Sequence, residues 1–107
     1  MKLPSPIQIY FEADQDVAGP APIAAFTTDA VVKDEGRTHV GPKAIGAWWR
    51  AAKAQFQHTT DPREISEADG RFTVLAEVSG QFPGSPAMLN FTFTLKDDAI
   101  SILEIGA

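Results

Sequence analysis

The sequence predicts an α+β domain in which N-terminal helices pack on the concave face of a curved antiparallel sheet. Two observations predict this fold class. Apolar residues recur at helical spacing in the first half of the chain. The second half alternates apolar and polar residues in runs that turn residues separate. Helices followed by a run of strands are typical of α+β domains, and the space between helices and a curved sheet often holds a small ligand.

The first predicted helix begins at Ser5–Pro6, because a hydroxyl residue before a proline is typical of a helix start. Apolar residues from Ile7 to Phe11 follow at helical spacing. Gly19–Pro20 is expected to end this helix. A short helical turn that begins at a proline is then expected over residues 20–26.

A valine-rich strand is predicted over Ala30–Lys33. It leads into a turn at Asp34–Gly36 and a short strand at Thr38–Val40. A second helix opens at Gly41–Pro42. Its apolar face follows helical spacing and comprises Ile45, Trp48, Trp49, Ala52 and Phe56. Its solvent-facing side is expected to comprise Lys43, Arg50, Lys53 and Gln57.

Four strands are predicted in the second half of the chain. The first, over 58–67, contains a proline and therefore suits a sheet edge. Asp69–Gly70 is a strong turn signal between it and the alternating strand Arg71–Ser79. After a loop over 80–86, two further strands are expected at Met88–Leu95 and Ala99–Ile105.

The composition restricts the function. At 107 residues the chain is expected to form a single domain over 1–107. The net charge of -5 argues against a nucleic-acid partner and against an anionic membrane surface. No segment approaches the ~20 apolar residues of a membrane span, and no signal peptide is expected. Without cysteine there is no disulfide or thiolate chemistry. A cytoplasmic protein without a metal or a cofactor is expected.

A family resemblance rests on two segments, FTTDAVVKDEG and HVGPKAIGAWW. Together with the order of elements, they resemble the SnoaL-like polyketide cyclase and ketosteroid isomerase group of the nuclear transport factor 2-like superfamily. The resemblance covers most of the chain and implies a cone-like α+β fold. Its motif is degenerate, so it specifies the fold far better than the function.

The resemblance also implies roles for individual residues. In the isomerases of this group a tyrosine on the first helix donates a hydrogen bond to the oxyanion, and an aspartate at the end of the first strand is the general base. These positions correspond to Tyr10 and Asp34, and Phe26 stands where the isomerases carry a supporting tyrosine. The position of a second, protonated aspartate falls near Asn90 or Phe91, so only the Asn90 amide remains as a donor there.

The residues themselves leave alternatives open. Asp34 either abstracts a proton in an apolar pocket or caps its own turn. Tyr10 either donates to a ligand or is a core tyrosine whose hydroxyl reaches a backbone carbonyl. His39 is either a polar partner of Asp34 or a half-buried structural histidine. His58 is expected to face solvent at the end of the second helix.

Three aromatic residues are further ligand-binding candidates. Trp48 and Trp49 point about 100° apart on a helix. One is therefore expected to line the cavity while the other packs elsewhere, although both could be core residues. Phe82, in the glycine- and proline-rich loop, is expected to close the cavity mouth or to pack over the sheet edge.

Three functional hypotheses follow. The first is an isomerase, cyclase or dehydratase-like enzyme in which Asp34 and Tyr10 act on a small hydrophobic carbonyl compound. The second is a non-catalytic ligand-binding or dimerisation module. The third is an enzyme whose acid–base group is His39, oriented by Asp34. A homodimer is also expected, because Leu75 with Phe91 or Phe93 would leave the outer face of the sheet partly apolar.

Overall fold

Two helices pack on one face of a curved, unclosed six-stranded sheet in the computed structural model, which describes residues 1–107. This arrangement confirms the predicted α+β fold class. The elements in chain order are α1 (Ser5–Asp14), a short 3-10 turn (Ile23–Ala25), β1 (Phe26–Asp34), β2 (Arg37–Val40), α2 (Gly41–Phe56), β3 (Thr59–Ala68), β4 (Arg71–Ser79), β5 (Ala87–Lys96) and β6 (Ala99–Gly106).

The strands lie in the order β2-β1-β6-β5-β4-β3. Strands joined by a short turn pair antiparallel, as predicted for the second half of the chain. The β1–β6 pair is parallel, which differs from the antiparallel sheet that the sequence predicted. The difference arises because α2 and four strands separate β1 from β6 along the chain, so no hairpin fixes their relative direction.

Tight turns determine where the strands end. The β1–β2 turn has positive φ at Glu35 (52°) and Gly36 (74°), which a type I′ hairpin requires at both central residues. Asp69–Gly70 forms the β3–β4 turn in the same way, with φ of 54° and 76°. Both predicted turns are thus confirmed. The first places Asp34, the last residue of β1, at the rim of the concave face.

Several predicted boundaries differ from those observed. Helix α1 ends at Asp14 instead of continuing to Gly19–Pro20. Strand β1 begins at Phe26, four residues before the predicted valine-rich run. The helical turn predicted from Pro20 is confined to Ile23–Ala25. Strand β1 is longer than predicted because its pairing with β6 extends to Phe26, which lies opposite Ile100.

The core lies between the helices and the concave face of the sheet. Ile7 and Ile45 of the helices and Phe93, Ile100 and Leu103 of the sheet are at most 1% exposed. The prediction that Phe91 or Phe93 lies on the outer face is wrong, because both are buried in this core. Each lies opposite an inward-facing residue of the neighbouring strand and shares that residue's face. No helix is long and apolar enough to cross a membrane.

Candidate functional site

A cavity of about 250 Å³ opens between α1, α2 and the concave face of the sheet. Most of its lining is apolar, and Asp34 and Glu35 are its two acidic residues. The helices supply Tyr10, Trp48, Trp49, Ala52 and Phe56, and the rest of the lining comprises His58, Val78, Phe82, Ala87, Leu89, Phe91 and Ile105. This cavity brings together most of the residues that the sequence nominated for a site.

Asp34 holds its carboxylate at the cavity through one hydrogen bond. The indole Nε1 of Trp48 donates to Oδ2 of Asp34 over 3.0 Å. The side chain of Asp34 makes no other hydrogen bond and no ion pair. The carboxylate thus has one oxygen oriented by an indole and one that is free. This geometry differs from that of an aspartate that caps its own turn.

Tyr10 is packed tightly, yet its hydroxyl has no partner within the protein. Its ring is 2% exposed and meets Trp49 and Phe93 edge to face, with centroids 5.4 and 5.5 Å away. The hydroxyl makes no hydrogen bond, and its oxygen is accessible to solvent. Since Tyr10 lines the cavity, the hydroxyl faces that space. Burial first, and then the negative charges of Asp14 and Asp34, raise the pKa of Tyr10 well above its usual value. The hydroxyl therefore stays protonated and can donate to a ligand.

Both tryptophans line the cavity, although the sequence predicted that only one would. Their rings meet at 71° with centroids 6.2 Å apart. The divergence of about 100° between adjacent helical positions therefore does not keep either ring from the cavity. Trp48 also packs against the imidazole of His39, with centroids 6.0 Å apart. Trp49 carries the Lys53 ammonium 5.1 Å from its ring centroid.

Two nominated residues, His39 and Phe26, support cavity residues without lining the cavity themselves. His39 lies opposite Val32 in the β1–β2 hairpin and packs on Trp48. It makes no hydrogen bond to Asp34, whose only side-chain partner is Trp48. Phe26 packs against the ring of Tyr10 with centroids 6.2 Å apart, in keeping with the supporting position that the resemblance implied.

The last two nominated residues differ in their placement. Phe82 lines the cavity and meets Phe56 edge to face, with centroids 6.0 Å apart. Asn90 does not line the cavity. It lies opposite Leu75 on the outer face of the sheet, one position from the inward-facing Phe91. The prediction that the Asn90 amide reaches a ligand is therefore wrong, since the alternation of β5 turns it away.

A buried charge cluster beside the cavity was not predicted. Lys53, expected on the solvent-facing side of α2, is 3% exposed. Its Nζ donates to Oδ1 of Asp14 over 2.7 Å, to the Asp14 carbonyl over 2.8 Å and to the His58 carbonyl over 2.7 Å. His58, also expected to face solvent, lies in the cavity wall with Nε2 3.4 Å from Oδ1 of Asp14. Spacing could have identified Lys53, because it follows Ile45 and Trp49 at successive four-residue intervals on the buried face.

The ionised form of Asp14 is stabilised by its partners in this cluster. Burial alone would raise the pKa of Asp14, but the hydrogen bond from His58 and the charge of Lys53 outweigh it and lower that pKa below the usual value. Asp14 thus remains ionised and paired. The cluster fastens the end of α1 to the last turn of α2 and to His58. Both helices and His58 contribute residues to the cavity lining.

Comparison with solved structures relates this geometry to known proteins. A proposed polyketide cyclase of Sinorhizobium meliloti is 44% identical, with a TM-score of 0.89 over 96% of this chain and 94% of that chain. A Catenulispora acidiphila protein with a ketosteroid isomerase-like fold, solved in complex with trimethylamine, is 17% identical, with a TM-score of 0.84 over 99% of this chain and 87% of that chain. A nuclear transport factor 2-like protein of Cytophaga hutchinsonii is 9% identical, with a TM-score of 0.74 over 94% and 84%.

No family model matches the sequence, and no curated protein matches it. The two more distant structures share the fold alone, whereas the Sinorhizobium protein is similar in sequence over nearly its whole length. The family resemblance that the segments around Asp34 and Trp48 carried is confirmed. The chain therefore belongs to the SnoaL-like, polyketide cyclase-like group of the nuclear transport factor 2-like superfamily.

Proposed function

We propose that the protein acts on a small hydrophobic carbonyl compound, with Asp34 as the general base and Tyr10 as the hydrogen-bond donor to the carbonyl oxygen. The reaction is an isomerisation, a cyclisation or a dehydration and needs no cofactor. One observation carries this proposal: an ion-pair-free carboxylate and an unpartnered tyrosine hydroxyl face the same apolar cavity. A proton acceptor and an oxygen-binding donor around one apolar space are the two groups that abstraction of a proton next to a carbonyl requires.

The surroundings of the two groups support these roles. Trp48 fixes one oxygen of Asp34 and leaves the other free to accept a proton. Packing by Trp49 and Phe93 holds the ring of Tyr10 in place, so the hydroxyl needs no reorientation when a ligand binds. The cavity of about 250 Å³ is smaller than the roughly 300–1,000 Å³ typical of ligand pockets. This size favours a small substrate over a large polycyclic one.

Replacing the Asp34 carboxylate tests the proposal. Asp34→Asn keeps the shape and the Trp48 contact but removes the base, and turnover should fall by about 10²- to 10⁴-fold. A panel of small enones and hydroxyketones, followed by absorbance and NMR, provides the assay. Asp29→Asn is the matched control, because it removes the same charge from the same strand at an exposed position outside the cavity. Equal turnover in the two variants would disprove the role of Asp34.

Removing the Tyr10 hydroxyl should separate stability from activity. Because this hydroxyl has no partner within the protein, Tyr10→Phe should leave the free energy of unfolding unchanged or raise it by up to about 1 kcal/mol. Turnover should fall by about 10²-fold, as expected for the loss of one oxyanion donor. Urea unfolding and the same substrate assay measure the two effects. A large loss of stability would show instead that the hydroxyl has a structural role.

A non-catalytic ligand-binding protein is the second candidate. The orientation of Asn90, which faces away from the cavity, favours this candidate. The cavity then lacks a third hydrogen-bond donor at the position where the isomerases of this fold carry their second acid. The Catenulispora protein of the same fold, solved in complex with trimethylamine, supports a small ligand. A ligand that copurifies with the protein and is never converted would support this candidate.

Three expectations from the sequence stay predictions. These are a single domain over 1–107, a cytoplasmic location and a homodimer. With Phe91 and Phe93 in the core, the apolar contribution to the proposed dimer surface comes from outer-face residues such as Leu75 and Met88. Of these, Met88 is 46% exposed.

A further inference from the structure

We propose that the cavity selects small alkylammonium compounds over neutral molecules of the same shape, with the cationic head between Asp34 and the aromatic rings. This inference rests on the proposed function only in that the cavity binds a ligand, and it does not require catalysis. It names the charge of the ligand, which neither the fold nor the family specifies.

The charges around the cavity support a cation. Asp34 and Glu35 both line it, and neither takes part in an ion pair. No lysine or arginine lines the cavity. The nearby Lys53 is already paired with Asp14, and the same carboxylate faces His58. The lining therefore carries negative charge that no cationic side chain compensates. Glu35 is exposed, so the half-buried carboxylate of Asp34 is the group that gains most from a cationic partner.

The aromatic lining suits the apolar surface of an alkylammonium group. Six of the 14 lining residues are aromatic: Tyr10, Trp48, Trp49, Phe56, Phe82 and Phe91. The rings of Trp48 and Trp49 meet at 71°, and those of Phe56 and Phe82 meet at 86°. Rings set at such angles present both faces and edges to a shared space. Aromatic cages that bind quaternary ammonium groups use these faces, because the negative face of a ring attracts a cation.

Tyr10 supplies independent evidence for a ligand and for its second polar group. The side chain is 2% exposed and its hydroxyl lacks a partner within the protein, although it opens into the cavity. A ligand oxygen can accept the hydrogen bond that this hydroxyl offers. Asp34, whose charge is not neutralised by an ion pair, also creates a potential that favours positive charge here. The ligand class is thus a small alkylammonium compound that also carries a hydroxyl or carbonyl group.

A pair of isosteres measures the preference directly. The cation is meta-hydroxyphenyl-trimethylammonium, and its neutral counterpart is meta-tert-butylphenol, in which carbon replaces the charged nitrogen. Binding is followed by tryptophan fluorescence, since Trp48 and Trp49 line the cavity, and by calorimetry. We expect the cation to bind about tenfold more tightly or better, the ratio that roughly 1.4 kcal/mol of cation recognition gives. Asp34→Asn should remove most of this preference, whereas Asp29→Asn should retain it.

Other outcomes overturn the inference. It is wrong if the neutral isostere binds as tightly as the cation, or if Asp34→Asn and Asp29→Asn keep the same preference. Cyclohexenone in the same titration separates this failure from that of the proposed function. If cyclohexenone binds and the cation does not, the inference fails and the proposed function stands. If the cation binds through Asp34 and no carbonyl compound is converted, the carbonyl chemistry fails and the inference stands.

Discussion

Replacing Lys53 with methionine should lower the free energy of unfolding by about 3–5 kcal/mol, the usual effect of removing one partner of a buried ion pair. The ammonium of Lys53 is the only cation within 3 Å of the Asp14 carboxylate, and the two residues are 3% and 1% exposed. Methionine keeps much of the side-chain volume but leaves Asp14 ionised without its partner in an apolar site. It also removes the hydrogen bonds to the Asp14 and His58 carbonyls.

The pH dependence of unfolding distinguishes this mechanism from a simple packing defect. Because the folded state lowers the pKa of Asp14, its ionisation stabilises the protein above the ordinary aspartate pKa. That stability is lost as the pH falls through the lowered pKa of the folded state. The difference between wild type and Lys53→Met should therefore shrink as the pH approaches that range. Lys43→Met, at an exposed position of the same helix, is the control and should change stability little. A gap that is the same at neutral and acidic pH would contradict the ion-pair explanation.

Truncating Phe93 to alanine should also lower the free energy of unfolding by about 3–5 kcal/mol, as is typical of a phenylalanine deleted from a core. Phe93 is 0% exposed and contacts the rings of both Tyr10 and Phe11, with centroids 5.5 and 5.7 Å away. The loss of the Phe93 ring would also remove one of the edge-to-face contacts that hold the ring of Tyr10 in place. Ligand affinity should therefore fall together with stability.

Phe82→Ala is the matched control for this change, because it deletes the same atoms from a half-buried loop residue. Its effect on stability should be clearly smaller, while its effect on ligand affinity remains, since Phe82 lines the cavity directly. Urea denaturation and calorimetric titration of both variants compare the two. If Phe93→Ala were no more destabilising than Phe82→Ala, the core would not depend on Phe93 in the way that its burial implies.

The candidate site was predictable where it depends on local sequence. The type I′ turn at Glu35–Gly36 ends β1 at Asp34. Turn-forming residues of this kind predict the end of a strand from the sequence alone. The apolar spacing of α2 places Trp48 and Trp49 towards the sheet. Together with the family resemblance, these patterns predict Asp34, Tyr10 and one of the two tryptophans at the cavity, and the structure places both tryptophans there with them.

The remaining contacts depend on pairings between distant parts of the chain. The ammonium of Lys53 pairs with the carboxylate of Asp14, which lies 39 positions away in the chain. The sequence does not indicate that this ammonium pairs with Asp14 instead of being solvated by water.

Asn90 and Phe91 lie on opposite faces of the sheet, because side chains alternate along a strand. A shift of one residue in the register of β5 would exchange these faces. The apolar residues Leu89, Phe91 and Phe93 alternate with Asn90 in the sequence, so this pattern by itself predicts that Asn90 faces away from them. The expectation that Asn90 supplies a third donor came instead from the family resemblance.

By itself, the sequence determined the α+β class, the helix and strand types and the turns, because spacing and backbone preferences act over a few residues. It also determined the family, through the segments around Asp34 and Trp48 that resemble it. Only the tertiary structure decided the parallel pairing of β1 with β6 and the burial of Lys53 with Asp14. Each of these depends on the free energy of contacts between segments far apart in the chain, which no local pattern records.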